Sequence, residues 1–108
     1  MAYGEALEAM GNPTRRAMLE FLQAGERTVG SLADSLPVTQ SAVSQHMRVL
    51  REAGLVRVRV AGTRHLYSVD LDGLADVRAW VDGFWDDVLT AFVAHAERAD
   101  TDTEGTVP

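Results

Sequence analysis

The chain has 108 residues, 46% hydrophobic and 24% charged, a formal net charge of −6 and a sequence pI near 4.9, which describes one domain with a limited core and excludes a multidomain enzyme. The absence of cysteine excludes a disulfide scaffold, a thiolate metal site and a cysteine nucleophile, and leaves the redox compartment open, with the cytoplasm as the default expectation. No targeting or anchoring segment is expected, because Glu5, Glu8, Arg15 and Arg16 break up the first apolar patches and no stretch approaches the roughly 18 apolar residues of a membrane span.

Tyr3 to Met10 reads as a short helix with Ala6, Leu7 and Met10 on one side, interrupted by Gly11. Asn12 and Pro13 then give a start signal, since Asn caps free amides and Pro suits the first helical position. A second helix is expected from Pro13 to about Ala24, burying Met18, Leu19 and Leu22, with Gly25 as its stop. Thr28 caps a short third helix, Val29 to Ser35, ended by Leu36, Pro37 and Val38. Thr39 caps a fourth that reaches about Ala53, with Gly54 beyond it. On this helix Val43, Met47 and Leu50 recur at i, i+4 and i+7 and face the core, leaving Gln40, Ser41, Ser44, Gln45, Arg48, Arg51 and Glu52 on the other side.

After Gly54 the period changes to two. Val56, Val58 and Val60 alternate with Arg57 and Arg59, the pattern of a half-buried strand. Ala61, Gly62 and Thr63 make a turn, and Arg64 to Val69 returns as a second strand on which either Leu66 or Tyr67 points inward. From about Asp72 a long amphipathic helix carries Leu74, Val77, Val81, Phe84, Val88 and Phe92, with Trp80, Trp85, Leu89 and Val93 widening its apolar stripe. That stripe exceeds what so small a core covers, so Leu74, Val77, Val81, Phe84, Trp85, Val88 and Phe92, with Leu7 and Met10 of the first helix, are expected to form a homodimer interface. The expected division is a folded region over 1–98 and a disordered acidic tail, ADTDTEGTVP, over 99–108.

Charge is distributed unevenly. Residues 14–67 hold eight Arg against four acids, and residues 68–108 hold two Arg against ten. Surface fields are set by nearby charges screened over about 10 Å, so an acidic total does not prevent the basic middle from meeting phosphate. Two short helices joined by a tight turn and followed by an Arg-bearing hairpin is the layout of a winged helix-turn-helix, whose second helix enters the major groove and whose hairpin reaches the backbone or minor groove. Gln and Ser donate and accept at base edges, Arg forks onto guanine or phosphate, and the short Ser41 and Ser44 allow close approach. Ala33 is small where the two helices cross.

The segments NPTRRAMLEFL, SLADSLPVTQSAVSQHMRVLREAGLV, AGTRHLYSV and RAWVDGFW together resemble a bacterial ArsR/SmtB-type transcriptional regulator, over about residues 5–97 and most specifically from Thr39 to Val56. The resemblance implies a mostly α fold with a small β-hairpin in the order α-α-α-α-β-β-α. It implies a homodimer that represses promoters by binding double-stranded DNA at an imperfect palindrome. The family's recognition helix maps onto Gln40, Ser41, Ser44, Gln45, His46 and Arg48 within helix 39–53. Its wing maps onto Arg57, Arg59, Gly62, Thr63 and Arg64 within hairpin 55–69. The positions of the family's metal-sensing cysteines hold Thr28 and Gly30, and the last helix offers only His95, with Phe84 two residues after Asp82. A transition metal wants three or four convergent ligands, so the expectation is the fold and DNA chemistry without a metal or other cofactor, and with room for an unknown small-molecule effector.

Several side chains admit two roles. His46 contacts phosphate or base, or packs half-buried beside the core face; Arg48 contacts base or phosphate. Arg15 and Arg16 reach phosphate or, as favoured here, pair with acids of the last helix. Trp80 and Trp85 line a small-molecule pocket or, as aromatics at this spacing more often do, an interface. Ser44 and His46 lie close in sequence with no orienting third group and no evident cleft, so no catalytic site is expected. The rival to a DNA-binding regulator is a winged-helix protein-interaction module, for which an arginine-bearing wing is superfluous.

Overall fold

A computed structural model describes the backbone of residues 2–104 and the side chains of residues 3–99. Its elements run α1 (Ala2–Ala9), α2 (Pro13–Leu22), α3 (Val29–Ser35), α4 (Gln40–Glu52), β1 (Val56–Ala61), β2 (Arg64–Val69) and α5 (Leu71–Glu104). The chain divides into two compact units, one ending at Val77 and one beginning at Arg78. Of the tail expected over 99–108, α5 includes the backbone as far as Glu104; the side chains from 100 onward and residues 105–108 lie outside the described residues.

The helix starts follow from capping. Asn12 Oδ1 accepts from the amides of Thr14 and Arg15 at 2.9 and 3.1 Å, with Pro13 in the first turn where no amide bond is lost. Thr28 Oγ1 accepts from Ser31 N–H and Thr39 Oγ1 from Ala42 N–H, each at 3.1 Å, which fixes where α3 and α4 begin. The second helix ends two residues short of the expected Ala24 because its last turn tightens: Gln23 N–H donates to Glu20 O and Gly25 N–H to Leu22 O. α1 ends at Ala9, and Ala9 is buried with Ala6 while Leu7 and Met10 pack half-buried against the same core.

The core of the first unit is a single cluster. Met18, Leu19 and Leu22 of α2, Leu32 of α3, and Val43, Met47 and Leu50 of α4 meet Ala6, Ala9, Val56 and Val77 within it. Leu55, which sequence periodicity did not single out, is fully buried there. Its N–H donates to Leu50 O and its carbonyl accepts from Asp70 N–H, both at 2.9 Å, so it clamps the end of α4 to the start of α5. Gly54, at φ +79°, makes that turn, and Gly73 lies so close that a Cβ there would fall on the Gly54 carbonyl.

β1 and β2 form an antiparallel hairpin with Val56 opposite Val69, Val58 opposite Tyr67 and Arg59 opposite Leu66. Directly opposed residues share a face, so Tyr67 points inward with Val56, Val58 and Val69, while Leu66 lies on the outer face. Burial fades toward the tip: Val56 is buried, whereas Val60 is 62% exposed. The two-residue loop Gly62–Thr63 has Gly62 at φ +64° and no positive φ at Thr63, the signature of a type II′ turn, which needs glycine first.

Candidate nucleic-acid interface

α4 is built to be half-buried. Its inner side is held by Val43, Met47 and Leu50, each at or below 1% exposure. The same periodicity turns Gln40, Ser41, Ser44, Gln45, Arg48, Arg51 and Glu52 to solvent, and leaves His46 half-buried between the two sides. Gln40, Ser44 and Arg48 follow one another at four-residue intervals, with Ser41 and Gln45 along the adjacent row, so the five form one exposed strip. The capped start of α4 also presents the positive end of the helix dipole beside Gln40 and Ser41.

The hairpin register gathers the basic residues of the wing. Arg57, Arg59 and Arg64 share the outer face with Ala61, Leu66 and Ser68. A cleft of about 430 Å³ lies between the start of α3 (Thr28 and Gly30), Gln40 and the wing residues Thr63, Arg64 and His65, so the first residue of α4 and the wing tip border one space. On the other side Tyr67 and Ser44, Arg48 and Arg51 flank a second cleft of about 470 Å³.

The arginines of the basic segment divide by what they touch. Arg27 is structural: its Nε and Nη2 donate to Ser31 Oγ, Ser31 O and Ser35 Oγ at 2.7 to 3.0 Å, and its guanidinium lies 5.1 Å from the Phe21 ring centre. Its backbone exchanges both hydrogen bonds with Tyr67, fastening the loop before α3 to β2. Arg15 and Arg16 bond to the end of α1: Arg15 Nε donates to Ala9 O at 2.6 Å and Arg16 Nη1 to Met10 O at 2.7 Å. Arg59 grips both oxygens of Glu26, at 2.9 and 2.8 Å. That bond holds the Glu26 carboxyl below its ordinary range and the Arg59 guanidinium above its own. Arg48 meets Glu52 one turn on at 3.1 Å, and Arg57 lies 3.9 Å from Asp70. No comparable partner is found for Arg51 or Arg64 among the described residues. The bridging contacts of Glu26 and Arg27 were not legible in the sequence, because no periodic pattern marks a single bridging residue in a loop.

The expected dimer residues fall into two groups. Leu7, Met10 and Leu74 pack half-buried on the subunit's own core, and Val77 is buried in it at 8% exposure. Val81, Phe84, Trp85, Val88 and Phe92, together with Trp80, Leu89 and Val93, are exposed on the second unit, where the rings of Trp80 and Phe84 stack at 5.4 Å. Among the described residues no group of three or more His, Asp or Glu converges as metal ligands would, and no helix is long and apolar enough to cross a membrane.

Comparison with known proteins agrees with this geometry. Residues 10–59 match the model of a helix-turn-helix domain family. The HTH-type transcriptional regulator Rv2034 of Mycobacterium tuberculosis (strain ATCC 25618 / H37Rv) is 45% identical over 98 residues, covering 91% of this chain and 92% of that protein. The crystal structure of a possible transcriptional regulator for arsenical resistance superposes with a TM-score of 0.70 at 49% identity, covering 82% of this chain and 92% of the other. Mb0332 from Mycobacterium bovis, a homodimeric winged helix-turn-helix DNA-binding domain and possible ArsR-family regulator, superposes with a TM-score of 0.65 at 28% identity, over 82% of each chain. With the sequence likeness running through helix, turn, helix and wing alike, this chain belongs to the ArsR/SmtB-type family of winged helix-turn-helix transcriptional regulators.

Proposed function

We propose that the protein is a homodimeric repressor that binds a palindromic operator, with α4 in the major groove and the β1–β2 hairpin as a wing along the DNA backbone. The observation that carries this reading is the exposed strip Gln40, Ser41, Ser44, Gln45 and Arg48 on a helix whose other side is locked in the core, beside a hairpin with three arginines on one face. Gln45 and Ser44 read base edges; Gln40 and Ser41 sit at the helix start, where backbone amides favour phosphate. Arg57 and Arg64, with Gly62 and Thr63 at the turn, meet the sugar-phosphate backbone. His46, half-buried and within reach of Arg15, sets the seat of the helix rather than contacting DNA.

Homodimerisation is supported by the exposed apolar face of the second unit and by the homodimeric state of Mb0332. A homodimer that reads a palindrome presents its two recognition helices to successive major grooves, one helical turn or about 34 Å apart. A DNA partner puts the site of action in the cytoplasm, and no catalytic step is part of the reading.

Selection of bound fragments from host genomic DNA tests it. The enriched fragments share an inverted repeat with half-sites about one turn apart. Retention of no DNA at low salt would instead favour a protein-interaction module.

A further inference from the structure

One side-chain pair joins the outer wing face to a loop that belongs to neither the helix-turn-helix nor the hairpin. Arg59 donates through Nε and Nη2 to the two oxygens of Glu26 at 2.9 and 2.8 Å, although the residues are thirty-three positions apart. The bridge between Arg27 and Tyr67 carries Glu26 to this place, next to the face that also bears Arg57 and Arg64. Two parallel N–H···O bonds are also how an arginine holds a phosphate, so carboxylate and phosphate compete for the same fork. Both side chains are solvated, so water and salt screen the pair and leave the fork open to exchange.

The geometry points to Glu26 as a specificity-determining residue that acts as a phosphate surrogate: it fills the Arg59 fork in the free protein and is exchanged for a DNA phosphate on binding. The inference rests on the wing's proposed contact with DNA. Its consequence is electrostatic. A random stretch of DNA must displace a carboxylate to use Arg59, so the residue contributes little to non-specific affinity. On the operator, contacts along α4 fix the register and bring a phosphate to the fork. Arg64, which lacks such a partner among the described residues, carries no equivalent restraint.

The test uses the full chain and its Glu26→Gln variant, whose amide is isosteric but uncharged, with fluorescence anisotropy on operator and random-sequence duplexes across a salt series. With the fork released, the random duplex binds roughly five- to tenfold more tightly at about 0.1 M salt, and the slope of log affinity against log salt steepens by about 0.9. The operator gains less, so the ratio of the two affinities falls. In an Arg59→Ala background the same change at Glu26 alters neither affinity. The proposal is overturned if Glu26→Gln leaves both affinities unchanged, or weakens both equally as a loss of wing structure would, while Arg64→Ala still weakens binding. If Glu26→Gln, Arg64→Ala and Gln45→Ala all leave DNA affinity untouched, the assignment of α4 and the wing as the DNA interface fails with it. Thermal unfolding and light scattering on each variant separate these outcomes from misfolding.

Discussion

Arg15 Nη1 lies 3.4 Å from His46 Nδ1, and the Nε of the same guanidinium donates to Ala9 O at 2.6 Å. A guanidinium only donates, so in this contact Nδ1 is the accepting atom. One side chain thereby ties α4 to the end of α1 through α2. Arg15→Ala removes charged hydrogen bonds at a half-buried position and lowers stability by about 1.5–3 kcal/mol. A urea midpoint and slope measure it; a change within about 0.5 kcal/mol would mean the contact is ornamental.

The approach of Gly73 to Gly54 makes the junction of α4, β1 and α5 intolerant of a single methyl group. A Cβ on residue 73 meets backbone rather than a flexible side chain. Gly73→Ala therefore displaces the start of α5 and destabilises the fold by about 1–3 kcal/mol, despite alanine's better helix propensity. Thermal unfolding of the variant checks this, and a raised Tm would contradict the close approach.

The apolar face of the second unit is expected to hold two subunits together. Phe84 is 57% exposed and stacks on Trp80, so Phe84→Glu places a charge where a partner would bury a ring. Light scattering of the variant at micromolar concentration gives the mass of a monomer, with the helical circular dichroism retained. A variant that stays dimeric would move the interface elsewhere.

The Glu26 carboxyl is held below its usual range first by the hydrogen bond from Arg59 and then by that residue's charge. A depressed folded-state value means that the pair's contribution is present above the unfolded carboxyl's ordinary pKa and is lost as pH falls through the folded one. Carboxyl NMR is expected to show Glu26 titrating below free glutamate, with its midpoint moving back up in Arg59→Ala. An unchanged midpoint would contradict the pairing.

Much of the fold was legible because short-range chemistry and long-range packing agree. Asn12, Thr28 and Thr39 cap the helices they seemed placed to cap, α3 and β2 have the expected bounds, and the one-sided burial of α4 follows directly from Val43, Met47 and Leu50. What escaped the sequence depends on tertiary contact. Leu66 and Tyr67 are adjacent and both bulky, so only the cross-strand register shows that Tyr67 turns inward. Leu74 and Val77 read as part of one long exposed stripe, yet the start of α5 packs on the core and only the later residues remain uncovered. Arg15 and Arg16, favoured as partners of acids on the last helix, donate instead to carbonyls at the end of α1, which a helix end leaves unsatisfied. Basic charge was counted correctly from the sequence, but which arginines were already engaged was not, because Glu26 meets Arg59 across thirty-three positions, where the loop before α3 is bridged to β2.

The division of labour between recognition helix and wing is tested most directly by operator and random-DNA affinities of Gln45→Ala and Arg64→Ala across a salt series. Gln45→Ala, by removing the proposed base-edge contact, is expected to cost about 1–3 kcal/mol on the operator with little change on random DNA. Arg64→Ala, by removing the proposed phosphate contact, is expected to weaken both DNAs by similar factors and to lower the magnitude of the salt slope by about one. Equal weakening of both DNAs by Gln45→Ala, with Arg64→Ala abolishing only the operator preference, would make the wing the reader and contradict the account.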